Sequence, residues 1–139
     1  MIRQQDMDVS IAIFKAQCAC KNIGISTKAV PQSSIPQSIP TLMKEFYARF
    51  APISVKLLNV QFVPYDILLD CIRQDSDLKY IPIAFYNNDY RNQMAYIDRN
   101  ADGSWDYRVQ LPIGNGKVQI LGQDVFDYLI QLSKRLQDE

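Results

Sequence analysis

The stretch YIPIAFYNNDYRNQMAYIDRNADGSWDYR, Tyr80 to Arg108, constrains this chain more than any other. Its apolar side chains recur every second residue, the period of half-buried β-strands rather than of helices. Asp102-Gly103 supplies the positive backbone angles of a tight hairpin turn, and Asn87-Asn88-Asp89 marks a second turn. Strands are therefore expected over 80–86, 93–99 and 104–111. Ile81, Ile83 and Phe85 should share one face, as should Trp105, Tyr107 and Val109, with Asp106, Arg108 and Gln110 on the other. The same stretch holds Tyr80, Tyr86, Tyr90, Tyr96 and Tyr107, five of the eight tyrosines, and the only tryptophan. Aromatics and aspartates this dense beside a strand pair read as a binding face.

The rest of the chain alternates between helical and extended patterns. Residues 8–21 predict a first helix with Ile11, Phe14 and Cys18 on one stripe, capped by Asp6 or Asp8 and stopped around Asn22 and Gly24. Residues 24–40 carry Pro31, Pro36 and Pro40 among serines, which predicts an extended connection without ladder hydrogen bonds. Residues 41–50 predict a second helix, entered at Pro40 and ended by Pro52. Residues 54–63 predict a strand whose broken parity places a bulge near Leu58–Asn59. Pro64 opens a third helix over 65–74, with Ile67, Leu68, Cys71 and Ile72 inward. Gly114-Asn115-Gly116 marks a turn before a short strand at 117–121. A closing helix over 124–137 buries Phe126, Leu129, Ile130 and Leu136. Helices followed by consecutive strands indicate an α+β fold: a twisted antiparallel sheet of four or five strands with helices packed around it. At 139 residues this is one domain, 1–139.

The chain has no histidine. That removes the usual general base near neutral pH and the usual metal ligand. No nucleophile elbow, phosphate loop or catalytic carboxylate pair is present, so neither an enzyme nor a cofactor is expected. Cys18, Cys20 and Cys71 read as small buried hydrophobes in a reducing compartment, and a metal site is not expected among them. The N-terminus is polar and no apolar run approaches the roughly 20 residues that span a bilayer. A cytoplasmic protein without membrane contact is expected.

Net charge is zero, from 15 basic and 15 acidic residues, which does not favour direct nucleic-acid binding. The zero conceals an asymmetry. Residues 1–56 carry seven basic and three acidic side chains, a net of +4, whereas residues 65–107 carry four basic and eight acidic, a net of −4. The acidic third coincides with the aromatic strands and would steer a basic partner. Asp98, Asn100, Asp102 and Gly103 match the first half of a calcium-binding loop. Val109 stands where the closing glutamate is required, so a hairpin is the expected structure.

Tyr86, Asp89, Tyr90 and Arg91, at or near a turn, are the leading candidates for an exposed partner-binding surface. Tyr65, Asp66 and Tyr80 are second-rank candidates.

The order of motifs resembles a known family. IPTLMKEFYARF (residues 39–50) leads into a strand and helix, then YIPIAFY (80–86), a Tyr-x-Asp…Gly-x-Trp pair between Tyr96 and Trp105, and DVFDYLIQL (124–132). This resembles the SUKH superfamily (SMI/KNR-like), which includes fungal cell-wall regulators and bacterial immunity proteins, over about 100 residues. The resemblance implies a sheet wrapped by helices and a non-catalytic function: stoichiometric binding of a polymorphic toxin, often a nuclease. A regulatory scaffold of the same fold and, more remotely, a small-ligand-binding protein are the alternatives.

Overall fold

The structure, a computed structural model, describes residues 3–74 and 77–139. Asp75, counted in the acidic balance, lies outside them. The elements run α1 (Gln4–Cys20), β1 (Ser26–Lys28), a 3-10 turn (Gln32–Ser34), α2 (Thr41–Phe50), β2 (Ala51–Ser54), β3 (Lys56–Leu57), β4 (Val60–Phe62), α3 (Tyr65–Gln74), β5 (Tyr80–Tyr86), β6 (Met94–Arg99), β7 (Trp105–Gly114), β8 (Lys117–Gly122) and α4 (Val125–Asp138). The fold is α+β, as the pattern predicts. Strands β3 to β8 form a fully antiparallel sheet in chain order, and β1 pairs with β2 in a second, two-stranded sheet.

The main sheet has six strands where four or five were expected, because one extended segment holds two strands, and a second sheet arises where an unpaired connection was expected. The parity break within 54–63 is a turn, not a bulge: Leu57 pairs with Val60, and Leu58 takes a positive φ of 53° to reverse the chain. The proline-rich connection supplies β1, which pairs with Ala51–Ser54. Pro52 therefore sits inside a strand. A two-stranded sheet leaves every strand an open edge, where a missing N–H costs no ladder bond.

The core lies between one face of the six-stranded sheet and the helices. Met7, Ile11, Phe14 and Cys18 recur at helical spacing and form the buried stripe of α1. That helix begins four residues earlier than expected, its N-terminus carries no side-chain cap, and Asn22 in the left-handed region (φ 57°) terminates it. Phe46 and Phe50 of α2, Phe14, Phe62, Phe126 and Tyr128 form a fully buried aromatic cluster. Phe14 meets Phe50 edge-on at 5.8 Å, and Phe46 meets Phe126 at 5.7 Å. Such pairs add about 0.5–1.5 kcal/mol each beyond the area they bury. An ion-pair chain ties α1 to α2 on the surface: Arg49 Nε donates to Asp8 Oδ1 at 2.9 Å, and Arg49 Nη1 donates to Glu45.

The third helix departs from expectation. Tyr65 and Leu68 are its buried residues, whereas Ile67 is 51% exposed and Cys71 is exposed. Ile67 and Cys71 share one row, and the helix turns the neighbouring row toward β2. Cys20 is exposed too, so only Cys18 is the buried small hydrophobe expected of all three; burial pushes its thiol up.

At the other end Asp124 caps α4, its carboxylate accepting from the Asp127 N–H at 2.8 Å, and Asp127 Oδ2 accepts from the Gln123 N–H at 2.8 Å. Among the described residues, no helix is long and apolar enough to cross a membrane.

Candidate functional site: the outer face of the sheet

The face of the sheet turned away from the core is built by cross-strand register. In β5 and β6, Tyr80 lies opposite Asp98, Pro82 opposite Tyr96, and Phe85 opposite Met94. Their strand neighbours Ile81, Ala95 and Ile97 are wholly buried on the other side. Directly opposed side chains are the contacting pairs of a sheet, and here they form an aromatic surface. The rings of Tyr80 and Tyr96 meet edge-on at 5.9 Å and 75°. The Tyr90 ring meets Phe85 at 6.4 Å and 79°, and the Arg91 guanidinium lies 5.7 Å from the Tyr90 centroid. Tyr80, Tyr90, Arg91, Tyr96, Asp98 and Pro112 line an open groove of about 390 Å³. Tyr80 is 53% exposed and Tyr90 58%.

The electrostatics of this face are set on β7. Asp106 lies opposite Asp98, a pairing of like charges. Arg108 relieves it by a two-pronged contact, Nη2 donating to Asp106 Oδ2 at 2.7 Å and Nε to Oδ1 at 3.0 Å, and Gln110 Nε2 donates to the same carboxylate at 3.0 Å. Arg108 holds the Asp106 carboxyl below its ordinary range. Asp98 takes only the Arg99 N–H, at 2.9 Å, and is exposed without a cation partner among the described residues. Burial, and then Asp98, push the Tyr96 hydroxyl up, so that phenol stays protonated and can donate. The apolar surface continues onto β8 through Val118 and Ile120, 41% and 37% exposed. The chemistry on offer is apolar contact, phenolic hydrogen bonding and a free carboxylate.

Of the seven residues expected at a partner surface, the structure brings Tyr80, Tyr90 and Arg91 into this groove. Asp89 is half-buried and works inside the turn, its carboxylate accepting from the Asn92 N–H at 3.1 Å. Tyr86 is a correction. Strand parity places it outward with Tyr80, but the register shifts between Pro82 and Ala84, so Ile83 and Ala84 are both buried and the alternation inverts. Tyr86 then points inward, 7% exposed, with its hydroxyl 2.7 Å from that of Tyr128.

Tyr65 is a second correction. It is 2% exposed, its ring lies 5.0 Å from that of Tyr47, and its hydroxyl finds no hydrogen-bond partner among the described residues. Asp66 is exposed on α3 and faces Lys28 of β1 at 3.5 Å, apart from the groove. Tyr96, Asp98, Met94 and Phe85 belong to the face but were not among the expected partner residues; Phe85 was expected to share a face with Ile81 and Ile83, and the same register shift turns it outward. The signal for Tyr96 and Asp98 was present: once the hairpin register is set, they oppose Pro82 and Tyr80.

The loop over 98–106 is a hairpin turn. The Asn100 N–H donates to Ser104 O at 2.7 Å, and Asp102 Oδ1 accepts from both the N–H and the hydroxyl of Ser104. These bonds hold the Asp102 carboxyl below its ordinary range.

No family model, curated protein or solved structure matches the chain.

Proposed function

We propose that this chain is a non-catalytic protein-binding module, an immunity protein that neutralises a polymorphic toxin by stoichiometric binding through the outer face of its sheet. The carrying observation is two exposed tyrosines packed on half-buried rings, Tyr80 on Tyr96 and Tyr90 on Phe85, beside Asp98, which has no cation partner among the described residues. Tyrosines held in place by neighbours lose little entropy when a partner covers them, and such rings dominate binding energy at protein interfaces. The motif order that resembles the SUKH superfamily supports the same reading. The net −4 of residues 65–107 favours a basic toxin, and nucleases, which must approach phosphates, are the class that fits. Tyr80, Tyr90 and Arg91 are the contact residues assigned here, with Tyr96 and Asp98 added.

Co-expression tests the reading. Production of this chain should rescue growth of cells making the toxin encoded beside its gene. Failure to rescue against every adjacent candidate, together with recovery of a housekeeping protein from the native cell, would point to a regulatory scaffold instead.

A further inference from the structure

A second concave site lies on the opposite side of the sheet, where α4 crosses the inner ends of β5, β7 and β8. It encloses about 390 Å³ over a floor of Leu111, Leu121 and Leu132. Among the described residues, its only charged lining group is Arg135, and no carboxylate lines it. Arg135 makes no salt bridge among the described residues. Instead its Nη2 starts a one-way chain of hydrogen bonds around the rim. Arg135 donates to Asn59 Oδ1 at 3.0 Å, Asn59 Nδ2 donates to Asn87 Oδ1 at 3.1 Å, and Asn87 Nδ2 donates to Gln93 Oε1 at 2.9 Å.

This chain consumes the acceptors of three amides and leaves donors over: the remaining guanidinium N–H groups and the Gln93 amide nitrogen. The backbone locks it in place. The Asn87 N–H donates to Asn59 O at 2.8 Å, and Asn87 and Asn88 both sit in the left-handed region that asparagine tolerates. At the base, Tyr86 and Tyr128 share one hydrogen bond between two hydroxyls. Each phenol carries one hydrogen, so the pair has a second one to give. Arg135 stands close enough to bias the titration of both phenols.

A cleft with one unneutralised guanidinium, oriented amide donors, a spare phenolic hydrogen and no carboxylate is complementary to an oxyanion. We propose that it binds a carboxylate or phosphate carried on a small, otherwise uncharged body that covers the leucine floor. Charge-assisted bonds from arginine are the strong ones, and the surrounding donors would share the oxyanion's remaining lone pairs. The inference is independent of the outer face: it concerns the other side of the sheet and a different class of ligand.

The test is a titration of the full chain, followed by backbone and side-chain amide NMR, with sodium benzoate, phenyl phosphate and the neutral isostere benzamide. Saturable shifts at Asn59, Asn87, Gln93 and Arg135 with at least one anion, and none with benzamide, are expected. The preferred anion tells carboxylate from phosphate. Arg135→Gln should weaken binding about tenfold or more, the loss of one charge-assisted bond, and Arg135→Lys should restore part of it. Gln119→Glu, which removes no hydrogen bond seen in the fold and adds a carboxylate at the rim, should abolish binding while the melting temperature holds. Shifts that do not saturate, benzamide binding as well as benzoate, or anion binding unchanged by Gln119→Glu would each overturn the proposal.

Discussion

Two tyrosines with nearly equal burial should respond in opposite ways to loss of the hydroxyl. Tyr65 buries an oxygen with no hydrogen-bond partner among the described residues, whereas the Tyr86 oxygen is bonded to that of Tyr128. An unsatisfied buried hydroxyl is a cost, and deleting it removes that cost; deleting one member of a bonded pair orphans the other. Tyr65→Phe should therefore leave stability unchanged or raise it by up to about 1 kcal/mol, and Tyr86→Phe should lower it by about 1–2 kcal/mol. Urea unfolding of the two variants beside the wild type checks both signs. The same two residues mark the limit of reading exposure from sequence. A tyrosine at a strand end is amphipathic, and composition does not say which side it faces. For Tyr86 the deciding event is a one-residue register shift three positions upstream. For Tyr65 it is Tyr47, which lies 18 residues earlier in the chain and reaches it only through the tertiary fold.

At the scale of elements, what was legible was what local chemistry determines. The helix over 41–50, the strand over 80–86 and the turns at Asn87-Asn88 and Gly114-Asn115-Gly116 lie where periodicity and left-handed residues put them. Less legible was pairing between distant, short segments: β1 with β2, and the split of 54–63 into two strands. Strands of two to four residues carry too few alternations to announce themselves, and their partners supply the hydrogen bonds. Three members of the candidate face, Tyr80, Tyr90 and Arg91, were legible because they crowd one hairpin; Tyr96 and Asp98 needed the register. The junction of β8 and α4 offers a test of how tightly elements are joined. A Cβ on Gly122 would fall 2.7 Å from the Tyr128 backbone nitrogen and 2.9 Å from its Cα, with Asp124 O at 3.0 Å. Backbone on that side cannot yield without moving the first turn of α4 and its Asp124 cap. Gly122→Ala should destabilise by about 1–3 kcal/mol, the usual cost of overpacking, whereas Gly24→Ala, at an open position, should not. Thermal unfolding of the pair makes the comparison.

The whole molecule combines a helix-covered inner face with an open outer one, and its ionisable groups frame a wide pH plateau. With no histidine, no side chain of ordinary pKa titrates between about pH 5.5 and 8. Below the plateau, Arg49 hydrogen-bonded to Glu45 and Arg108 to Asp106 hold both carboxyls under their ordinary values. A depressed carboxyl contributes stability above its unfolded pKa and loses it as pH falls through the folded one, so stability should decline from about pH 4.5 downward. Above the plateau, burial raises Tyr47, Tyr65, Tyr86 and Tyr128 over their ordinary value of 10. The buried Cys18 thiol is raised as well. A raised thiol or phenol keeps its proton in the fold and loses it in the unfolded chain, so stability falls as pH rises beyond about 8.5, and more steeply beyond about 10. Urea midpoints across pH should be flat between these limits, Glu45→Gln should blunt the acid limb, and the tyrosinate absorbance of the buried phenols should appear together with unfolding on the alkaline one.

The proposed partner binding rests on the outer aromatic face, and calorimetric titration with whichever toxin the rescue experiment identifies tests that face most directly. The wild type should bind with one-to-one stoichiometry. Tyr80→Ala/Tyr90→Ala should bind about thirtyfold or more weaker, the least expected when either of the two tyrosines anchors the interface, with its melting temperature little changed because both rings are exposed. A double variant that binds as tightly as the wild type, or that unfolds, would contradict the account.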